Sequence, residues 1–348
     1  MIIINGLTID VEDYFHLHAF SDVITPEDWG SFKARVEKNT HRILDLLDSV
    51  ESPAKPGAPN EQIRNLESGI WNLESPAKPG PTATFFILGW VAERYPGLVR
   101  EIHERGHEIA CHGYAHRVIF HQTKDEFRED VKRAKGILED LTGDAVIGYR
   151  APTYSITAET VWALEILYDL GFKYDASVFP IRHDFYGFPG TPRFPYIWDL
   201  EGGEPGIKTM DNPGLINRNG GSPAILEFPS TTYRTWGRNV PVAGGGYFRL
   251  FPYSLTRSLL KRINAREAKP FIFYIHPWEI DPGIPRIKNA RVLSKFRTYI
   301  NLARTETRFR QLLTGFRFSS LSDLLTRGRG VPGRPQREGE GNHENHSF

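Results

Sequence analysis

Two histidines four residues apart share one short stretch, His112-Gly113-Tyr114-Ala115-His116. Acids close the first apolar run, in Thr8-Ile9-Asp10-Val11-Glu12-Asp13. A spacing of four puts two imidazoles on one face of a helical turn. Two imidazoles with one carboxylate leave a coordination position open for water, the arrangement of a catalytic metal site. That set suits Zn2+, and also Co2+, Ni2+, Mn2+ or Fe2+. Three more polar groups end other segments: Arg150 in Gly148-Tyr149-Arg150-Ala151-Pro152, Asp175 in Tyr174-Asp175-Ala176-Ser177, and His276 after Phe271-Ile272-Phe273-Tyr274-Ile275. Acids, a histidine pair, an arginine and a further histidine, in that order, are the parts of a metal hydrolase.

These groups need a scaffold that brings strand ends together. Short β-rich runs alternate with amphipathic segments, which reads as βα units around a mostly parallel sheet. Strands are expected at 2–9, 82–88, 108–111, 145–149, 224–228, 271–275 and 316–319, and helices at 32–49, 98–105, 124–142, 158–170, 253–266 and 293–313. Within 124–142, Phe127, Val131, Ala134 and Leu138 recur at three- and four-residue spacing, a core-facing stripe. Almost every polar group named above follows a candidate strand, so in a parallel barrel all would face one rim.

The ordered motifs resemble the NodB-type polysaccharide deacetylases (carbohydrate esterase family 4) over roughly residues 1–325. Asp10-Val11-Glu12-Asp13-Tyr14-Phe15, Gly244-Gly245-Gly246-Tyr247-Phe248-Arg249 and His276-Pro277-Trp278-Glu279 are similar to the branch found near exosortase and exopolysaccharide genes, the PEP-CTERM-associated deacetylases. The resemblance implies a distorted (β/α) barrel of about seven parallel strands and a metal-dependent removal of acetyl groups from an N-acetylated glycan. It implies Asp10 as general base and His276 as general acid, with an oxyanion-binding N–H near Thr153 and Tyr154. Arg150 would orient Asp10, and Asp175 would orient His276. The family's adjacent Asp-Asp pair is spaced differently here. Strand alternation puts Glu12 on the side of Asp10, whereas Asp13 lies beyond the strand end, where a loop redirects it. Asp13 is the expected third metal ligand and Glu12 its alternative. Trp278, Tyr154, Phe185, Tyr186 and Tyr247 would offer aromatic faces to sugar rings. A cyclic-amide (allantoin-like) hydrolase of the same fold and a non-catalytic glycan-binding barrel are the alternative readings.

The 348 residues suffice for a substantial core, and the net charge of +1 gives no nucleic-acid footprint. The lone Cys111 cannot form an internal disulfide; beside His112 it could be a ligand, but its run reads more simply as a small buried strand residue. Without a basic n-region the N-terminus does not read as a signal peptide, so a cytoplasmic protein is expected. No window approaches the roughly 18 apolar residues of a membrane span. A deacetylase domain is expected over 1–326, with a family-specific part from about 240. The copies Glu51-Ser52-Pro53-Ala54-Lys55-Pro56-Gly57 and Glu74-Ser75-Pro76-Ala77-Lys78-Pro79-Gly80 mark residues 51–81 as a Pro/Gly-rich insertion. Residues 327–348 contain almost no apolar side chains and are expected to be disordered.

Overall fold

The computed structural model describes residues 3–50, 80–183, 186–202, 205–209 and 223–327. Apart from its last two residues, the 51–81 repeat lies outside them, as does the segment after 327.

The strands are β1 (Ile4–Val11), β2 (Thr84–Ile87), β3 (Glu108–Cys111), β4 (Gly148–Tyr149), β5 (Tyr174–Asp175), β6 (Tyr196–Asp199), β7 (Gly206–Thr209), β8 (Ala224–Glu227), β9 (Thr232–Thr235), β10 (Arg238–Pro241), β11 (Ile272–Ile275) and β12 (Arg317–Ser319). One sheet runs β11-β1-β2-β3-β4-β5-β8-β6-β7, with β12 also on β1. The strands from β11 to β8 along this path pair in parallel, which gives the seven expected; β6 and β7 extend the edge antiparallel. Burial on both faces explains why β2 and β11 are largely apolar runs, whereas in β1 Leu7, Ile9 and Val11 alternate with the buried polar Thr8 and Asp10. Among the described residues no ladder joins β8 to β11; instead the Ile272 amide donates to Thr231 Oγ1 at 2.7 Å across that seam. The barrel is distorted there.

Ten α-helices accompany the strands among the described residues: α1 (Val36–Asp48), α2 (Gly89–Arg94), α3 (Pro96–Glu104), α4 (Lys124–Thr142), α5 (Ala163–Asp169), α6 (Gly245–Leu250), α7 (Tyr253–Arg262), α8 (Val292–Tyr299), α9 (Leu302–Gly315) and α10 (Leu321–Arg327). The stripe expected on α4 is buried, and a capping box of Thr123 with Glu126 starts the helix. The helix expected over 293–313 is broken in two. Asn301 turns left-handed (φ 54°) and its side-chain amide donates to the Arg249 carbonyl at 2.9 Å. Cys111 is a buried β3 residue, as its context implied, and burial pushes its thiol up to about 12. Short, polar-flanked strands such as β6, β7 and the β9–β10 hairpin escaped the sequence pattern.

Candidate active site

Asp10 is the penultimate residue of β1, His112 directly follows β3, Arg150 follows β4 and His276 follows β11. All four are C-terminal strand ends, and the parallel sheet gathers them at one rim.

Glu12, His112 and His116 each offer a ligand atom within 4.8 Å of the others. Glu12 Oε2 lies 2.8 Å from His116 Nε2, yet this buried oxygen has no hydrogen-bond partner among the described residues. A carboxylate lone pair and an imidazole lone pair aimed at a shared point suit a cation better than each other. The donor set, two nitrogens and one oxygen, therefore fits a divalent metal. His112 Nδ1 is turned to the Arg150 carbonyl at 2.7 Å, which fixes the ring and leaves Nε2 for the site. Burial pulls the pKa of His112 down to about 4, keeping it a neutral ligand. Burial opposes the charge on Glu12, but His116, His276 and His112 together outweigh it and hold its carboxyl well below the usual range.

The histidine pair is not on a helix. Gly113 (φ 74°) and His116 (φ 49°) turn the loop, and Asp130 of α4 accepts from the Tyr114 amide at 2.7 Å. A Cβ at Gly113 would come 3.0 Å from that Asp130 oxygen, so glycine is required there.

Asp13, expected as third ligand, faces elsewhere. Its carboxylate accepts from the amides of Tyr14 (2.9 Å), Arg35 (2.5 Å) and Val36 (2.8 Å), closing the open end of α1. Burial pushes its pKa up to about 6 against those donors. The loop after β1 redirects Asp13 as foreseen, but onto a helix terminus, and alternation keeps Glu12 on the side of Asp10.

Arg150 Nη1 donates to Asp10 Oδ1 at 2.6 Å and to Thr8 Oγ1 at 2.7 Å, and Nε donates to the Ala176 carbonyl at 3.0 Å. Asp10 Oδ2 then faces His276 Nε2 at 3.7 Å, while Glu12 Oε1 is 3.4 Å from the same nitrogen. The partner of His276 is not Asp175. Its Nδ1 pairs with Glu279 Oε1 at 2.6 Å, and Arg249 Nε donates to Glu279 Oε2 at 2.7 Å. The turn Pro277–Ile280 folds Glu279 back under the ring three residues earlier, filling the place expected for Asp175. Burial disfavours the imidazolium, but Glu12, Glu279 and Asp10 outweigh it and raise His276 to about 9. Asp175 instead accepts from Ser177 Oγ (2.5 Å), and Ser177 Oγ accepts from the Ala151 amide (2.7 Å), bracing the backbone beside Arg150.

Thr153 and Tyr154 are consecutive left-handed residues, φ 57° and 53°. Two such non-glycine residues store on the order of 1–3 kcal/mol each, a cost that marks sites where backbone direction matters. The aromatic residues are less available than expected. Trp278 is 3% exposed, stacks on His276 at 5.4 Å and donates to Glu12 Oε1 at 3.4 Å. Tyr154 packs edge-on against Tyr274, and Tyr186 lies parallel to Phe179. Phe185 is outside the described residues. Arg249 and Glu279 were quoted in sequence motifs without a role; the signal was an acid three residues after His276, opening a turn with proline.

The fold is an α/β barrel whose strand ends gather two carboxylates, an arginine and three histidines at one rim, three of these side chains in a group that could hold a metal ion. Residues 77–174 match the family model of polysaccharide deacetylases, and residues 176–326 match a domain of unknown function, DUF3473. A peptidoglycan deacetylase of Helicobacter pylori is 33% identical over 117 residues, 34% of this chain and 36% of that protein. A peptidoglycan-N-acetylglucosamine deacetylase of Bacillus cereus is 37% identical over 84 residues, 24% of this chain and 30% of that protein. The chain thus spans about a third of the length of these curated relatives. A Mycobacterium smegmatis crystal structure described as a polysaccharide deacetylase aligns over 95% of this chain and 93% of its own at 16% identity and a TM-score of 0.50, showing a shared fold. Over residues 77–174 the chain is thus similar to polysaccharide deacetylases, and over part of its length to these two peptidoglycan deacetylases.

Proposed function

We propose that this protein removes acetyl groups from an N-acetylated polysaccharide or its precursor, using one divalent metal held by Glu12, His112 and His116. The observation that carries this reading is the meeting, in one buried mouth, of that ligand set with the Arg150–Asp10 pair and with His276. Zn2+ is the ion the donors favour, with Co2+, Ni2+, Mn2+ and Fe2+ also compatible. When bound, such an ion supplies Lewis acidity, polarising the acetyl carbonyl and acidifying water.

Asp10 is fixed through Oδ1 by Arg150, which leaves Oδ2 to take a proton as water adds to the carbonyl carbon. The Thr153 amide would serve the carbonyl oxygen as it becomes an oxyanion, because the Tyr154 amide already donates to the Ala151 carbonyl at 3.2 Å. His276, oriented through Nδ1 by Glu279, delivers its Nε2 proton to the departing nitrogen as the C–N bond breaks. Acetic acid and a free amine result, with the base protonated and the acid deprotonated; the acetic acid then ionises to acetate, and proton exchange resets Asp10 and His276.

The motifs shared with the PEP-CTERM-associated branch point to exopolysaccharide or cell-surface glycan synthesis. A cytoplasmic location would make a lipid-linked glycan precursor the substrate. Acetate release from a panel of N-acetylated oligosaccharides, with each divalent cation in turn added to the chelator-treated protein, tests the reading. Release restored by one or more cations is expected. No release with any of them, or hydrolysis of a cyclic amide instead, would overturn it.

A further inference from the structure

A cavity of about 370 Å³ is lined by His116 of the metal-ligand set, but by neither Asp10 nor His276. Its size is at the lower end of the roughly 300–1,000 Å³ of ligand sites. Trp29 and Ile24 supply an apolar wall, while His16, His18, Arg117 and His121 supply the polar groups. Not one lining residue is a carboxylate, in a chain with 42 of them. Of the acids next to lining residues in sequence, Asp22 is paired with Arg291 at 2.8 Å and Asp28 accepts from the Thr25 amide at 2.9 Å.

His16 is the second observation. It is 3% exposed, and its Nδ1 accepts the Asp13 amide at 2.9 Å, so the ring proton must sit on Nε2. That Nε2 has no hydrogen-bond partner among the described residues. Trp29 and Trp90 hold the ring edge-on at 4.3 and 4.9 Å, locking its direction. A rigid, buried donor without a partner, in a cavity without carboxylates, awaits an acceptor from a ligand. Arg117, whose pairing with Glu126 is only 3.3 Å and exposed, can turn to a better anion at little cost.

We propose that this cavity is a subsite for a carboxylated sugar, a uronate-class residue adjoining the acetylated one, read by His16 Nε2–H, Arg117 and His121. The sugar's apolar face would lie against Trp29 and its carboxylate would face the histidines and the guanidinium. The assignment rests on the deacetylase reading, and it narrows the substrate to an acidic glycan.

Two tetrasaccharides test it: alternating glucuronate and N-acetylglucosamine, and the same compound with its carboxyls reduced to alcohols. Calorimetric binding to the metal-loaded protein is expected to favour the acidic form about tenfold or more, the scale of one charge-assisted hydrogen bond, and less so at high salt. Arg117→Gln with His121→Gln, both exposed positions, should bring the two dissociation constants together by weakening the acidic ligand alone. Equal affinities in the wild type, or a preference that persists in the double variant, would overturn the subsite. Acetate release, measured separately on both compounds, distinguishes the two readings. Release without preference removes only the subsite, and preference without release removes only the deacetylase.

Discussion

Glu12 and Asp13 are adjacent in sequence and point to different parts of the molecule. One carboxylate is 2.8 Å from His116 Nε2, and the other is 2.8 Å from the amide that begins α1. Their roles should therefore separate on substitution. Glu12→Gln is expected to abolish stoichiometric metal binding while the fold persists. Asp13→Ala should keep the metal but lose about 1–3 kcal/mol of stability, because buried amides lose their acceptor. Metal content by mass spectrometry, with thermal melts, checks both. A reversed pattern would return the ligand role to Asp13.

Asp10→Asn keeps the size of the side chain and removes the base. It should retain the metal, since Asp10 is outside the Glu12–His112–His116 set, and lose on the order of 10²–10⁴ in rate. An emptied site in this variant would show that Asp10 is itself a ligand.

His276 must be protonated to act as an acid, so activity should fall as pH rises through its pKa. Glu12, Glu279 and Asp10 raise that pKa to about 9 against the effect of burial. A cation bound by Glu12 cancels part of that carboxylate's contribution, so the alkaline limb of the loaded enzyme should lie lower. Glu279→Gln removes another contribution and should move the limb further toward acid. A kcat/KM profile across pH is the measurement; an unmoved limb would assign the titration elsewhere. His276→Ala should also harm amide hydrolysis far more than hydrolysis of an activated aryl acetate, which departs without a proton.

Away from the mouth, Glu227 and Asp175 are buried side by side and hydrogen-bonded. Burial first, and then the Asp175 charge, raise Glu227 well above the ordinary 4.5. A raised folded-state pKa means the folded protein holds a proton that the unfolded chain releases. That contribution to stability is complete below about 4.5 and is lost as pH climbs to the folded-state value. Wild-type stability should thus decline with pH more steeply than that of Glu227→Gln. Denaturant melts at several pH values would show it, and parallel declines would refute it.

The barrel was legible because βα periodicity survives in apolar runs such as Phe271–Ile275 and in the α4 stripe. The site was legible where chemistry sits at strand ends, as with Asp10, His112, Arg150 and His276. What stayed hidden depended on turns. A loop, not a helix, brings His116 beside Glu12, and the turn after His276 substitutes Glu279 for Asp175. Trp278 looked like a sugar platform because sequence does not reveal that His276 and Arg249 cover its faces. Single-residue turns of this kind leave no periodic trace.

β1 carries Asp10 and is hydrogen-bonded along its length to β2, β11 and β12. Two of those neighbours lie near residues 272–275 and 317–319, so the first strand cannot be completed until most of the chain has left the ribosome. Such distant pairings make folding slow and leave an apolar strand waiting. The mouth that gathers Asp10, His112 and His276 is consequently among the last parts to be completed, and a chain cut short before β12 would be expected to emerge without it.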